Sequence, residues 1–310
     1  MSKEIKLANP RGFCAGVDRA IDIVNKALDI YGSPVYVKHE VVHNKHVIKD
    51  LVDKGVIFVE SLDDVPSGSI LIYSAHGVSK EVSNQAKSKN LKVFDATCPL
   101  VTKVHFEIHK YASENIDVVL IGHSGHPEVE GTMGQYISDH GQIHLVETLD
   151  DIDQLNINSD KIAYVTQTTL SVSDTQNIID YLKTKFPNII GPRKDDICYA
   201  TQNRQDAVKQ LALESEFIIV IGSRNSSNSN RLKELAEKCG ASSILIDDAE
   251  ELDFEILSKY KSIGITAGAS APESIVQNVV RVVSNTLNAS TEELGENKEN
   301  IYFRLPPELR

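Results

Sequence analysis

Three cysteines could do chemistry together. Cys14, Cys98 and Cys198 each follow a short strand-like run and a polar turn, and each precedes a helical pattern. The three segments are IKLANPRGFCAGVDRAIDIV, LKVFDATCPLVTKVHFEIHK and NIIGPRKDDICYATQNRQDAV. A helix N-terminus favours the thiolate. With no secretory signal in MSKEIKLANP, a disulfide framework is not expected, and metal binding or catalysis becomes the leading role for these cysteines. Zinc is the main inorganic rival, but structural zinc sites usually take ligands in close pairs, and no CxxC occurs here. Buried structural cysteines are the plain alternative. Three widely separated thiolates suit a 4Fe–4S cubane better. Such clusters are normally held by four cysteines, so three would leave one iron open as a Lewis acid. Cys239, before Gly240, lies at an expected helix end and has no counterpart, so it is read as structural or incidental.

The loops after the strands supply the remaining chemistry. VVLIGHSGHPEVE and FIIVIGSRNSSNSN match, pairing Gly122 with Gly222 and His126 with Ser226; PVYVKHEVVHNKHV fits more loosely and offers His43. A second set of strand-and-loop segments, SILIYSAHGVS, KIAYVTQTTLSV and SIGITAGASAP, presents His76, Thr168 and Ser270. With Ser226, Ser227 and Asn228, these donors suit an anion with several oxygens, such as a diphosphate. Glu128, or its rival Glu130, is placed to donate a proton if the site encloses it. No P-loop is present, so nucleotide hydrolysis has no support. His39, His46, His105 and His123 hold no repeated position and carry no assignment.

Elements must hold these residues in place. Strands alternating with helices imply parallel sheets, whose ligands lie beyond the carboxyl ends of the strands. The expected fold is α/β: three pseudo-threefold-related units, each with a small, mostly parallel sheet, around a central iron–sulfur cluster. The expected boundaries are 1–97 with an N-terminal strand, 98–194 and 195–284. Residues 285–310 are expected to form a polar linker followed by a C-terminal strand, IYFRLPPELR, that docks back on the body.

Composition narrows the class further. Of 310 residues, 41% are apolar and 25% charged, as in soluble globular chains, and no apolar run reaches membrane-spanning length. Cytoplasmic placement is expected. The net charge of −12 argues against nucleic acid as a partner but not against a small phosphorylated ligand.

The motifs ANPRGFCAGVDRAI, HEVVHN, SAHGVS, DATCPLVTKVH, GHPEVEGTMGQ, TQTTLSV, DDICYATQNRQ, GSRNSSNSNRL and TAGASAP closely resemble the 4-hydroxy-3-methylbut-2-enyl diphosphate reductase family, with no departure at any motif position from about residue 5 to 284. The resemblance implies a 4Fe–4S cluster on Cys14, Cys98 and Cys198, with the substrate hydroxyl on the unique iron. It implies diphosphate binding at His43, His76, His126, Ser226, Ser227, Asn228 and Ser270, with Thr168 beside the hydroxyl and Glu128 as proton donor. Glu128, Thr168 and His126 form the expected catalytic set. The implied products are isopentenyl and dimethylallyl diphosphate, and the implied electron donor is an acidic flavodoxin or ferredoxin. Two rivals remain: a hydro-lyase, which would need no reductant, and a non-catalytic cluster carrier or sensor.

Overall fold

The structure is a computed structural model that describes residues 3–157, 159, 161–295 and 299–310. Residues 1–2, 158, 160 and 296–298, which fall in the expected first unit, second unit and linker, lie outside the described residues.

The chain begins with β1 (Glu4–Ala8), α1 (Ala15–Tyr31), β2 (Val35–Lys38), α2 (Lys45–Asp53), β3 (Val56–Val59), β4 (Ile70–Tyr73), α3 (Lys80–Ser88) and β5 (Lys92–Asp95). It continues through α4 (Pro99–Ser113), β6 (Asp117–Ile121), α5 (Pro127–Met133), β7 (Ile143–Val146), α6 (Leu149–Gln154), β8 (Ile162–Thr166) and α7 (Val172–Lys185). Then come α8 (Tyr199–Glu214), β9 (Phe217–Ile221), α9 (Ser227–Lys238), β10 (Ser242–Ile246), α10 (Phe254–Leu257), β11 (Ser262–Ala267), α11 (Glu273–Leu287) and β12 (Ser290–Leu294). They form three parallel sheets, ordered β10-β9-β11-β1-β12, β3-β2-β4-β5 and β7-β6-β8. The α/β class and the three small sheets agree with the expectation.

The chain divides into two compact units. The first comprises residues up to Val17, His43–Lys49 and Tyr199–Tyr302, and holds the five-stranded sheet. Both faces of that sheet are covered. Ile5, Leu7, Ile219, Ile265 and their neighbours pack against Val276, Val279 and Val283 of α11. Ala8, Ile218 and Val220, pointing the other way, meet Val208 and Leu211 of α8 and Leu232 of α9. A strand buried on both faces reads as an unbroken apolar run, as FIIVI does.

The second unit comprises Asp18–Val42, Asp50–Cys198 and Phe303–Arg310, and holds the other two sheets. In the three-stranded sheet, Val118 and Leu120 face Val104 and Ile108 of α4. Val119 and Ile121 face Ile152 of α6 and Leu182 of α7. The four-stranded sheet packs Leu71 and Tyr73 against Val78 and Ala86, the latter from α3.

Both chain ends depart from the expected boundaries. β1 pairs in register with β11 and β12, so the strand expected in the first unit belongs to the sheet that also holds β9–β11. The first part of the expected linker is regular structure: α11 continues to Leu287, and β12 follows. β12 reads as polar because it is an edge strand with exposed side chains, where Glu292 and Glu293 pair with Lys6 and Arg11. IYFRLPPELR forms no strand. Pro306 and Pro307 cannot donate to a ladder, and a 3₁₀ turn at Pro307–Leu309 fully buries Leu309 instead.

Candidate active site

Within the second unit, the strand-end loops bring His76, His126, Glu128 and Thr168 together. β6 ends at Ile121, and the following turn leads to His126, which N-caps α5: its ring Nδ1 accepts a hydrogen bond from the Glu128 backbone N–H at 3.1 Å. That acceptor role leaves the Nε2–H as the donor of the neutral ring. The His76 ring stands edge-on to His126, with centroids 5.7 Å apart, and Ser74 Oγ lies 3.3 Å from His76 Nδ1. α5 turns the Glu128 side chain inward, to 4% exposure, and Thr168 at the end of β8 meets it twice. The Thr168 N–H donates to Oε1 at 2.6 Å, and its Oγ1 donates to Oε2 at 2.9 Å. Both bonds favour the carboxylate, but burial outweighs them and raises the Glu128 pKa to about 7. Glu130, the rival acid, is exposed and lines a neighbouring cavity of about 260 Å³.

Within the first unit, His43, Ser226, Ser227, Asn228 and Ser270 share one end of the five-stranded sheet. β9 ends at Ile221, and Ser226 N-caps α9, its Oγ accepting from the Ser229 N–H at 3.3 Å. The equivalence of His126 and Ser226 expected from the repeat is thus an equivalence of helix caps. The backbone beside α9 is crowded: a Cβ on Gly268 would lie 2.0 Å from Ser229 Oγ, and one on Gly222 would lie 2.2 Å from it. Ser270, after β11, donates from Oγ to the His43 carbonyl at 2.9 Å, and Asn225 Nδ2 lies 3.3 Å from His43 Nδ1. Asn228 is 4% exposed, and neither end of its amide has a hydrogen-bond partner among the described residues. A buried unpaired amide is costly, and it is the arrangement a polar ligand would complete. The looser match at His43 has a local cause. Asn44 rather than His43 caps α2, its Oδ1 accepting from the N–H groups of His46 and Val47.

The cysteines follow one local rule. Each N–H donates to a backbone carbonyl in a strand-end loop: Cys14 to Ala269, Cys98 to Ala75 and Cys198 to Thr168, at 3.3, 3.0 and 3.1 Å. Ala269 and Ala75 immediately precede Ser270 and His76, and Thr168 is itself a site residue. Each predicted ligand is therefore anchored beside a predicted substrate-binding side chain. No cysteine forms a disulfide among the described residues; Cys14, Cys98 and Cys198 are half-buried and Cys239 is exposed at the end of α9. Burial pushes the Cys14 thiol up, and the nearby Arg204 charge opposes it. Among the described residues, no three His, Cys, Asp or Glu side chains gather closely enough to hold a single metal ion. Three thiols, each at a helix start and fixed through its own N–H, match the donor chemistry of an iron–sulfur cluster.

Several residues around these loops carry little or no sequence signal. His39 packs edge-on to His76 at 6.0 Å and pairs with Glu60 at 2.8 Å. Gln167 Oε1 accepts from the His123 N–H at 3.0 Å and shapes the loop before His126. Buried Asp196 accepts from the Thr166 N–H at 2.9 Å, tying the Cys198 loop to the end of β8. Its only sequence signal is a carboxylate two residues before a cysteine. His105 is a core residue: burial lowers its pKa to about 4, so it stays neutral.

The fold and these loops define an α/β protein whose acid, imidazole and hydroxyl groups line strand ends beside anchored cysteines. The chain belongs to the LytB protein family, which it matches over residues 5–284. It is 60% identical to the 4-hydroxy-3-methylbut-2-enyl diphosphate reductase of Saccharophagus degradans over 99% of both chains. It is 61% identical to the enzyme of that name from Ectopseudomonas mendocina, over 99% of this chain and 98% of the other. Among solved structures, the E-1-hydroxy-2-methyl-but-2-enyl-4-diphosphate reductase of Plasmodium falciparum superposes with a TM-score of 0.95 at 42% identity, covering 100% of this chain and 97% of that one. Among the described residues, no helix is long and apolar enough to cross a membrane.

Proposed function

We propose that the chain reduces (E)-4-hydroxy-3-methylbut-2-enyl diphosphate to isopentenyl and dimethylallyl diphosphate. The observation that carries this reading is the buried Glu128–Thr168 pair, an acid poised near neutrality whose partner also anchors Cys198. The names carried by relatives at 60% identity support the substrate. Cys14, Cys98 and Cys198 would hold a 4Fe–4S cluster with one iron lacking a protein ligand. When bound, the cluster supplies a Lewis acid for the substrate hydroxyl and passes electrons singly.

The chain's own residues do the rest. Protonated Glu128 donates from Oε2 to Thr168 Oγ1, freeing the Thr168 hydroxyl proton for the substrate hydroxyl. The C–O bond breaks with loss of water, and two electrons and two protons are consumed per substrate. Protonation at either end of the allyl system gives the two isomers. His43, His76, His126, Ser226, Ser227, Asn228 and Ser270 bind the diphosphate. Asn228 gains the partners its amide lacks, and His126 donates from Nε2. The electron donor is an acidic flavodoxin or ferredoxin, and the reaction is cytoplasmic.

The test is anaerobic turnover of the allylic diphosphate by iron-loaded protein with reduced methyl viologen, followed by chromatography of the products. Both isomers should form, with two electrons consumed per substrate. Dehydration without any reductant would show a hydro-lyase instead, and binding without turnover would show a carrier or sensor.

A further inference from the structure

One basic residue on the second turn of the helix after each cysteine reaches the loop that delivers a different cysteine. Arg19 of α1, after Cys14, donates from Nη1 to the Thr97 carbonyl at 3.0 Å and from Nη2 to the Asp95 carbonyl at 3.3 Å, just before Cys98. Lys103 of α4, after Cys98, donates to the Lys194 and Asp195 carbonyls and pairs with Asp196 Oδ1 at 2.8 Å, just before Cys198. Arg204 of α8, after Cys198, donates to the Gly12 carbonyl at 2.8 and 3.1 Å and to the Phe13 carbonyl at 3.2 Å, just before Cys14. The order closes: 14 to 98, 98 to 198, 198 to 14.

We propose that Arg19, Lys103 and Arg204 are positioning residues, one device used three times, each fixing the approach of the next cysteine. Charge-assisted bonds to two or more groups hold a short loop far more firmly than single neutral bonds. Arg204 is fully buried, so its charge is committed to these carbonyls and to Glu299 at 3.0 Å. Two of these cations also act on a cysteine through charge: Arg204 on Cys14 and Arg19 on Cys98. The device makes an unusual prediction: damage appears at the next cysteine rather than in the mutated helix.

Hydrogen exchange on the full chain, read by mass spectrometry with and without iron, tests this. In Arg19→Met, amides of the loop before Cys98 should exchange at least tenfold faster; in Lys103→Met, those before Cys198; in each case the other two approach loops should stay within twofold. Lys103→Arg should restore the wild-type pattern. In iron-loaded protein, losing the Lys103 charge should move the midpoint potential to more negative values, and Lys103→Arg should return it. Faster exchange confined to the mutated helix, or equal at all three loops, would overturn the proposal. Lys103 is partly exposed, so Lys103→Met remains testable if Arg204→Met does not fold.

A separate observation locates a partner surface. A groove of about 780 Å³ in the second unit is lined by Arg19, Lys92, Arg304 and Arg310 against the carboxylates of Asp95 and Glu308. This balance opposes the chain's net −12. Thr97 and Pro99, the neighbours of Cys98, form part of the wall, and Phe106 at the rim is 68% exposed. Resting on the reductase reading above, we infer that the groove docks a small acidic one-electron carrier protein. The carrier is oxidised by one electron per encounter, and two encounters complete a turnover. Charge steers such an encounter, and an exposed aromatic beside it anchors the contact.

The probe is reduced flavodoxin, used with the triple variant Lys92→Glu, Arg304→Glu, Arg310→Glu. The KM for flavodoxin should rise at least tenfold, calorimetric affinity should fall in parallel, and turnover with reduced methyl viologen should stay within twofold. Unchanged flavodoxin affinity would overturn the groove. Absence of methyl viologen turnover in wild type would instead sink the reductase reading, while the calorimetry would still decide the groove.

Discussion

At the residue scale, burial sets the behaviour of Glu128. Its pKa of about 7 lies above the ordinary carboxylate value, so the folded state holds this proton more tightly than the unfolded chain does. The resulting stabilisation is fully present below about pH 4.5 and is lost as pH rises through 7, to an extent on the order of 3 kcal/mol. Chemical denaturation across pH 5 to 8 should therefore show wild-type stability falling, with a flatter profile in Glu128→Gln. The same variant should keep its iron and bind the diphosphate but lose turnover by about 10²-fold or more. Turnover within a few-fold of wild type would place the acid elsewhere. Asn228 makes the converse case. Its unpaired amide costs the fold about 1–3 kcal/mol, so Asn228→Leu should leave stability unchanged or raised while the substrate KM rises more than tenfold. Asn228 stands out in the sequence as a polar residue at a strand-end loop, whereas residue type and loop position leave Glu128 level with Glu130, and burial separates them. Arg19, Lys103 and Arg204 do not stand out, because they act on backbone carbonyls, which carry no residue signature.

At the scale of elements, caps and close approaches hold the loops. Ser226 satisfies an N–H of the first turn of α9, so Ser226→Ala should cost about 1 kcal/mol in urea unfolding beyond any loss of substrate affinity. The crowded glycines give a sharper test. Gly268→Ala would drive a methyl into Ser229 Oγ at 2.0 Å and should destabilise the protein by about 1–3 kcal/mol. Adding Ser229→Ala removes that oxygen and leaves the Ser229 Cβ contact at 3.1 Å, so the pair should recover part of the loss; no recovery would mean that the strain lies in the backbone. Strands such as FIIVI and DVVLI are readable because both faces of their sheets are covered. α9 begins at Ser227, well before its apolar periodicity, because Ser226 caps a Ser- and Asn-rich first turn. The sheet that β1 joins is unreadable, since nothing in EIKLA specifies a partner; β12 is unreadable because an exposed edge strand looks like a linker.

At the scale of the whole molecule, the three matching cysteine segments make the organisation visible in the amino-acid sequence itself. The segments before Cys14 and Cys98 form β1 and β5, whereas the expected strand before Cys198 is reduced to a single bridge at Ile190; in all three a helix follows and the cysteine N–H docks on a strand-end loop, and α4 and α8 pack on sheets. Cys239 breaks that rule. It caps the end of α9 with its N–H on the Leu235 carbonyl, next to Gly240 in a left-handed conformation, and it is exposed. The rule therefore sets Cys239 apart from the other three cysteines by its anchoring and its exposure. Cys98→Ser should retain the fold, since the backbone N–H to the Ala75 carbonyl survives, yet lose iron on anaerobic reconstitution. Cys239→Ser should bind as much iron as wild type and turn over normally. Iron analysis with visible absorption and EPR on both variants decides between them: equal iron in the two would refute a cluster on Cys14, Cys98 and Cys198, whereas loss only in Cys98→Ser would tie the repeat to the metal.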